Sequence, residues 1–147
     1  MELVTGEFRN TLDDKGRLSL PAKLRAGLPG NVLVVTQGVD SCLWVFTPDR
    51  WTALSEQLFA STSLFHQQAR IIQRRIIAPA QEVEIDKAGR IAIPQSLREY
   101  AHLSKDCVVL GITRRLEIWD VDSYKAWLDS TEADFEAASE SLDIQNI

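Results

Sequence analysis

The stretch LDDKGRLSLPAKLR, residues 12–25, recurs as IDKAGRIAIPQSLR, residues 85–98. Placing Gly16-Arg17 on Gly89-Arg90 sets an offset of 73, and Pro21, Leu24 and Arg25 then fall on Pro94, Leu97 and Arg98. Self-similarity at a fixed spacing decides the unit from which a fold is built, so it is read first. Further along, CLWVFTPDRWTAL (42–54) overlies RLEIWDVDSYKAW (115–127) at the same offset of 73. Between these blocks NVLVV (31–35) matches DCVVL (106–110) at 75, a slip attributed to loops of unequal length.

Each copy spans about 50 residues and the order of elements reads the same in both. An alternating strand (7–12 or 82–85) leads through a turn to a second one (17–20 or 90–93). There Leu18 and Leu20 point one way and Arg17 and Ser19 the other. A short helix opened by proline follows (21–27 or 94–101), proline suiting a first turn whose N–H lacks a partner anyway. A buried strand (32–36 or 107–111) and a last strand (43–46 or 116–119) then feed a helix, for which Thr47-Pro48 and Asp120 are good starts. One copy is too small to hold much core, and four short strands leave open edges. Two copies pairing with each other would bury both faces and close the edges. The expectation is an α+β fold, one barrel-like unit with pseudo-two-fold symmetry. The chain divides into a first repeat (1–58), a linker helix (59–79), a second repeat (80–130) and an acidic tail (131–147).

The turns carry the candidate chemistry. Asp13-Asp14-Lys15-Gly16-Arg17 and Asp86-Lys87-Ala88-Gly89-Arg90 share the form Asp-x-x-Gly-Arg. Aspartate can cap such a turn with its side chain, and glycine can take the left-handed position that ends a hairpin loop. An arginine four residues after the aspartate can pair with it across the hairpin. One such turn is an ordinary hairpin. Two, each continuing into an apolar residue, a spacer, an apolar residue, Pro and Leu-Arg, are far more specific. Asp13, Gly16, Asp86 and Gly89 are therefore read as turn residues. The copies differ in charge: residues 9–25 sum to +3 and residues 82–98 to zero. A polyanion would meet the first copy more strongly.

Composition bounds the rest. The chain has 147 residues, 45% hydrophobic and 25% charged, which is ordinary for a globular protein and excludes a disordered or collagen-like chain. No apolar run reaches the roughly 18–20 residues of a membrane span, and the N-terminus carries no signal-peptide pattern, so a cytoplasmic protein without a membrane partner is expected. Net charge is −5, and the tail from Thr131 onward, with Glu132, Asp134, Glu136, Glu140 and Asp143 and no Lys or Arg, carries all of it. Eleven of the sixteen cations are arginine, the residue suited to bidentate contact with phosphate and guanine. Cys42 and Cys107 lie in apolar runs and read as buried reduced thiols; His66 and His102 read as surface or packing residues. In the linker, Leu64, Ile71, Ile72 and Ile76 approximate an apolar helical stripe, with Arg70, Arg74 and Arg75 on other faces. The tail reads as an acidic helix that packs by Phe135 and Leu142 or frays. No phosphate-cradling loop, metal cluster or Ser/Cys–His constellation is present, so no catalytic residue, cofactor or metal site is expected.

The two Asp-x-x-x-Arg turns, the Gly-Arg-h-x-h-Pro-x-x-Leu-Arg extensions and the intervening linker resemble the MraZ family of the AbrB-like (SpoVT/AbrB) swapped-hairpin superfamily, from about Gly6 to Trp127. The resemblance implies two tandem AbrB-like swapped-hairpin repeats forming one pseudo-two-fold β-barrel with flanking short helices. It implies a sequence-specific DNA-binding transcriptional regulator of the bacterial division and cell-wall gene cluster. Such a regulator would bind short direct repeats of double-stranded DNA at its own promoter, as a homo-oligomeric ring associated with the nucleoid. Carried over by motif, Arg17 is the principal DNA-contacting arginine and Lys15 its neighbour, with Arg9, Lys23 and Arg25 flanking. Lys87 and Arg90 hold the matching places in the second repeat, where a structural role is equally open. A partner-binding, antitoxin-like module, a purely structural ring and an enzyme are the alternative readings, the last the weakest.

Overall fold

Each copy begins with a strand that pairs outside its own copy. The computed structural model describes residues 5–61, 63–142 and 144; Asp143 and Ile147 of the acidic tail lie outside them. The first copy supplies β1 (Thr5–Thr11), β2 (Arg17–Ser19), α1 (Ala22–Ala26), β3 (Val32–Gln37), β4 (Leu43–Phe46) and α2 (Pro48–Ser61). The second supplies β5 (Gln81–Glu84), β6 (Arg90–Ala92), α4 (Gln95–Tyr100), β7 (Asp106–Ile112), β8 (Leu116–Asp120) and α5 (Val121–Ser130). Helix α3 (Gln67–Ile72), continuing into a π-helical turn (Gln73–Ile77), joins the copies, and α6 (Glu132–Ser141) follows the second.

Six strands form an antiparallel sheet in the order β1-β7-β8-β4-β3-β5, so β1 pairs with β7 and β5 with β3, each across the copies. The second strands pair with each other as a separate ribbon, β2 with β6. The registers are symmetric. In the ribbon Leu18 faces Ile91, its equivalent under the offset, and in the sheet Trp44 of β4 faces Glu117 of β8, again its equivalent.

The expected closed barrel is not formed. Among the described residues β1 and β5 are free sheet edges, and the ribbon lies over one face without joining the ladder. β1 stays on β7 through Leu12, whose N–H donates to the carbonyl of Lys105 at 2.7 Å, and the chain turns at once, the N–H of Asp13 bonding to the carbonyl of Arg17, so that β2 leaves the sheet and pairs with β6. What unites the layers is the core: Leu18, Leu20, Ile91 and Ile93 of the ribbon segments pack with Leu33, Val35, Val45, Val109 and Ile118 of the sheet. Burying a side chain of this kind contributes about 1.5–3 kcal/mol.

β3 and β7 are apolar on both faces because both faces are covered. The ribbon covers one. On the other, Val108, Leu110 and Trp119 pack with Cys42, Trp44, Val121 and Tyr124, and the hydroxyl of Thr36 donates to the carbonyl of Ile76 at 2.5 Å. Val34 faces Phe46 as Val108 faces Trp119, so the third strands match at an offset of 74, not 75. One residue matters here, since a slip of one sends every side chain to the opposite face.

The helix starts follow the sequence. The side chain of Asp120 accepts from the N–H of Ser123 at 3.1 Å to open α5, and Pro21 and Pro94 stand at the N-caps of α1 and α4. The linker departs from the expected stripe. Leu64 and Ile71 are exposed, while Ala69 and Ile76 are buried. Leu64 falls in the turn before α3 begins and so outside any helical period, whereas Ile76, in the π-helical turn that the N–H of Ala78 closes on the carbonyl of Gln73, keeps its expected inward place and Ile72 is half-buried. On α6, Phe135 and Leu142 are both exposed. Cys42 and Cys107 are buried free thiols; burial raises both pKa values, that of Cys107 to about 11. Among the described residues no helix is long and apolar enough to cross a membrane, and no His/Cys/Asp/Glu group could hold a metal.

Candidate nucleic-acid interface

The two Asp-x-x-Gly-Arg turns fold almost identically. In the first, Asp13 Oδ1 accepts the backbone N–H groups of Lys15 (2.9 Å) and Arg17 (2.8 Å), and Oδ2 accepts Arg17 Nε at 2.7 Å. In the second, Asp86 Oδ1 accepts from the N–H groups of Ala88 and Arg90, both at 2.9 Å, and Oδ2 from Arg90 Nε at 3.0 Å. Gly16 and Gly89 adopt φ of +76° and +80°, which a side chain would strain. The backbone N–H of the following arginine is the main cause that holds each aspartate below its ordinary pKa, helped by that arginine's side chain. A carboxylate that accepts several N–H bonds is stabilised in its charged form.

Each aspartate thus fixes its arginine through Nε and leaves the terminal guanidinium nitrogens without a hydrogen bond among the described residues. The alternation of the ribbon puts Leu18 and Ile91 in the core, so Arg17 and Arg90 share the outer face with Ser19 and Ala92. Because Ser19 faces Arg90 and Arg17 faces Ala92, the two arginines stand diagonally, about 8 Å apart at Cα by strand geometry. The ribbon therefore presents two cations, one from each copy, on one narrow surface. Lys15 and Lys87 are exposed in the turns, and Lys23 is exposed on α1.

Not every candidate joins them. Arg9 lines a hollow with Glu7, Val108, Val121, Tyr124, Lys125 and Leu128, on the α5 side of the sheet and apart from the turns. Arg25 is exposed, yet its Nε donates to the carbonyl of Leu20 at 3.0 Å. Its repeat partner Arg98 donates in the same way to Ile93 at 3.0 Å. Arg98 was not among the sequence candidates, although the repeat alignment pairs it with Arg25 and so contained the signal. A second polar cluster also escaped the sequence. Buried Glu117 accepts from Trp44 Nε1 (3.1 Å), Trp119 Nε1 (3.0 Å) and Arg115 Nη2 (2.8 Å), and the Arg115 guanidinium lies 4.8 Å from the centre of the Trp44 ring.

Fold and turns together define a class: a chain of two homologous halves, each lending its first strand to the other and each holding an arginine on an Asp-x-x-Gly-Arg turn. A family model described as "MraZ protein, putative antitoxin-like" matches twice, over residues 3–75 and 76–146. Relatives named "Transcriptional regulator MraZ" include one from Treponema denticola, 53% identical over 95% of this chain and 96% of its own length. Those from Treponema pallidum, 54% identical over 94% and 93%, and Ligilactobacillus salivarius, 44% identical over 93% and 94%, bear the same name. The chain belongs to the MraZ family.

Proposed function

We propose that this chain is a DNA-binding transcriptional regulator that reads its site with the β2–β6 ribbon and its two turns. The carrying observation is the pair of arginines on the ribbon's outer face, each fixed by an aspartate through Nε with its outer nitrogens free of bonds among the described residues. The name shared by the relatives supports the same reading. A two-stranded ribbon fits the major groove, where a guanidinium can take the two acceptors of guanine or a phosphate. Arg17 and Arg90 are the base or phosphate contacts, Lys15, Lys87, Lys23 and Arg25 add phosphate contacts, and Arg9 takes no direct part. Asp13, Gly16, Asp86 and Gly89 shape the turns.

The finer assignments rest on the family resemblance. They are the swapped-hairpin character of the repeats, bounded at 1–58 and 80–130 around the linker 59–79, with the tail 131–147. They also include direct repeats upstream of the division and cell-wall cluster, a ring of identical subunits, and a cytoplasmic location on the nucleoid. Exposed Phe59, Phe65, Phe135 and Leu142 are consistent with surfaces that a neighbouring subunit covers. A ring also reconciles an acidic chain with DNA, because many weak tips on one face gain by acting together.

Binding to the chain's own upstream DNA across a salt series, beside scrambled DNA, tests the proposal. Specific binding should weaken steeply with salt and fall at least tenfold in Arg17→Ala, a loss of about 1.4 kcal/mol or more. Equal binding by wild type and Arg17→Ala would overturn it.

A further inference from the structure

Gly16 and Gly89 sit in hairpin turns, where exposure is the rule, yet both are buried. What covers them comes from the other half of the chain. A Cβ placed on Gly16 would stand 2.7 Å from Cζ of Arg98 and 2.9 Å from its Nε. A Cβ on Gly89 would stand 2.7 Å from Cζ of Arg25 and 2.8 Å from its Nε. The backbone crosses in the same sense. Ile93 N–H donates to the carbonyl of Gly16 at 2.9 Å, and Leu20 N–H donates to the carbonyl of Gly89 at 2.9 Å.

We propose that Arg98 and Arg25 serve the turns crosswise: Arg98 of the second copy positions the first turn and adds its charge there, and Arg25 of the first copy does the same for the second turn. This rests on the DNA-binding reading of the turns and extends it to a residue that reading did not contain. Nε of each arginine is tied to the carbonyl at the end of its own ribbon strand, Arg98 to Ile93 and Arg25 to Leu20. That bond lays the flat guanidinium against the opposite glycine, where only a residue without a Cβ leaves room. The terminal nitrogens hold no hydrogen bond among the described residues and remain available to a phosphate.

The crossing changes where the charge lies. The first turn is served by Lys15, Arg17 and Arg98 against Asp13 and Asp14, and the second by Lys87, Arg90 and Arg25 against Asp86 alone. The second turn is then at least as attractive to a polyanion as the first, in contrast to the +3 and zero that the sequence intervals give. It also explains why both copies keep the Leu-Arg at the end of the motif: each half needs the other's arginine to hold its turn.

The test uses the full chain with Arg98→Gln, Arg25→Gln and Arg98→Lys, followed by hydrogen–deuterium exchange and DNA titration. Peptides covering residues 13–19 should exchange faster in Arg98→Gln and those covering 86–92 faster in Arg25→Gln, with the other turn unchanged in each. DNA binding should fall about tenfold in Arg98→Gln, and adding Arg17→Ala should cost no more than about twofold further, whereas adding Arg90→Ala should cost its full effect. Arg98→Lys should keep the charge but not the flat cover, so the turn exchanges faster while the salt dependence of binding is retained. Exchange changes confined to the turn of the mutated copy, or coupling of Arg98 to Arg90 and not Arg17, would overturn the crosswise assignment. If wild type binds no DNA, the regulator reading fails instead, and the exchange pattern alone decides the crossing.

Discussion

At the scale of single residues, Asp13 and Asp86 do two jobs with one carboxylate. One oxygen closes the turn on backbone N–H groups and the other aims an arginine. Both groups are depressed in the folded chain, first by the backbone N–H of Arg17 and of Arg90. A depressed carboxylate adds stability above its unfolded pKa of about 3.9 and loses that contribution as pH falls through the lower folded value. The turns should therefore hold unchanged from neutral pH down to about 4 and loosen only in stronger acid. Carboxyl NMR titration checks this: both midpoints should fall below 3.8, and a midpoint at or above it would show that the turn bonds are not formed in solution. These turns were legible in the sequence because the bonds that each aspartate makes span four residues or fewer. Arg98 was not, because its role depends on a strand crossing that no local pattern records.

At the scale of the element, β8 shows how a strand tolerates a charge on its covered face. Leu116 and Ile118 go to the core, while Glu117 points to the opposite side, where two indole N–H groups and Arg115 satisfy it. Removing the carboxylate leaves two indole donors without partners and Arg115 without its counter-charge. Glu117→Ala should thus lower the unfolding free energy by about 3 kcal/mol in urea denaturation, far above a surface substitution. A loss under about 0.5 kcal/mol would mean that the cluster is ornamental. The linker is the element that the pattern misled. Ile76 is buried and Ile72 half-buried as the stripe implies, but Leu64 lies in the turn before α3, Ile71 is exposed and Ala69 packs inward in its place. A period can be read only while the geometry that generates it continues.

At the scale of the whole molecule, the repeat made the architecture readable, because two copies of one small motif must share a core and do so by exchanging first strands. The element order followed from alternation and proline placement. Closure did not, since β1 stays on β7 through Leu12 and the turn at Asp13 then sends β2 to β6, a choice made by a few hydrogen bonds. The meeting of β4 and β8 has a further consequence. Trp44 and Glu117 occupy equivalent places in the two copies and face each other across the pseudo-dyad. Were two first halves to associate in this manner, each Trp44 would lose the carboxylate that its indole N–H meets; two second halves would bury carboxylate against carboxylate. Cut between 63 and 64 and produced together, the halves should sort into mixed pairs, which native mass spectrometry would count. Equal amounts of like and unlike pairs would show that this position carries no preference. With mixed pairs found, one site on the dyad would work as a sex marker between the halves, and this single chain would be a marriage of unlike partners.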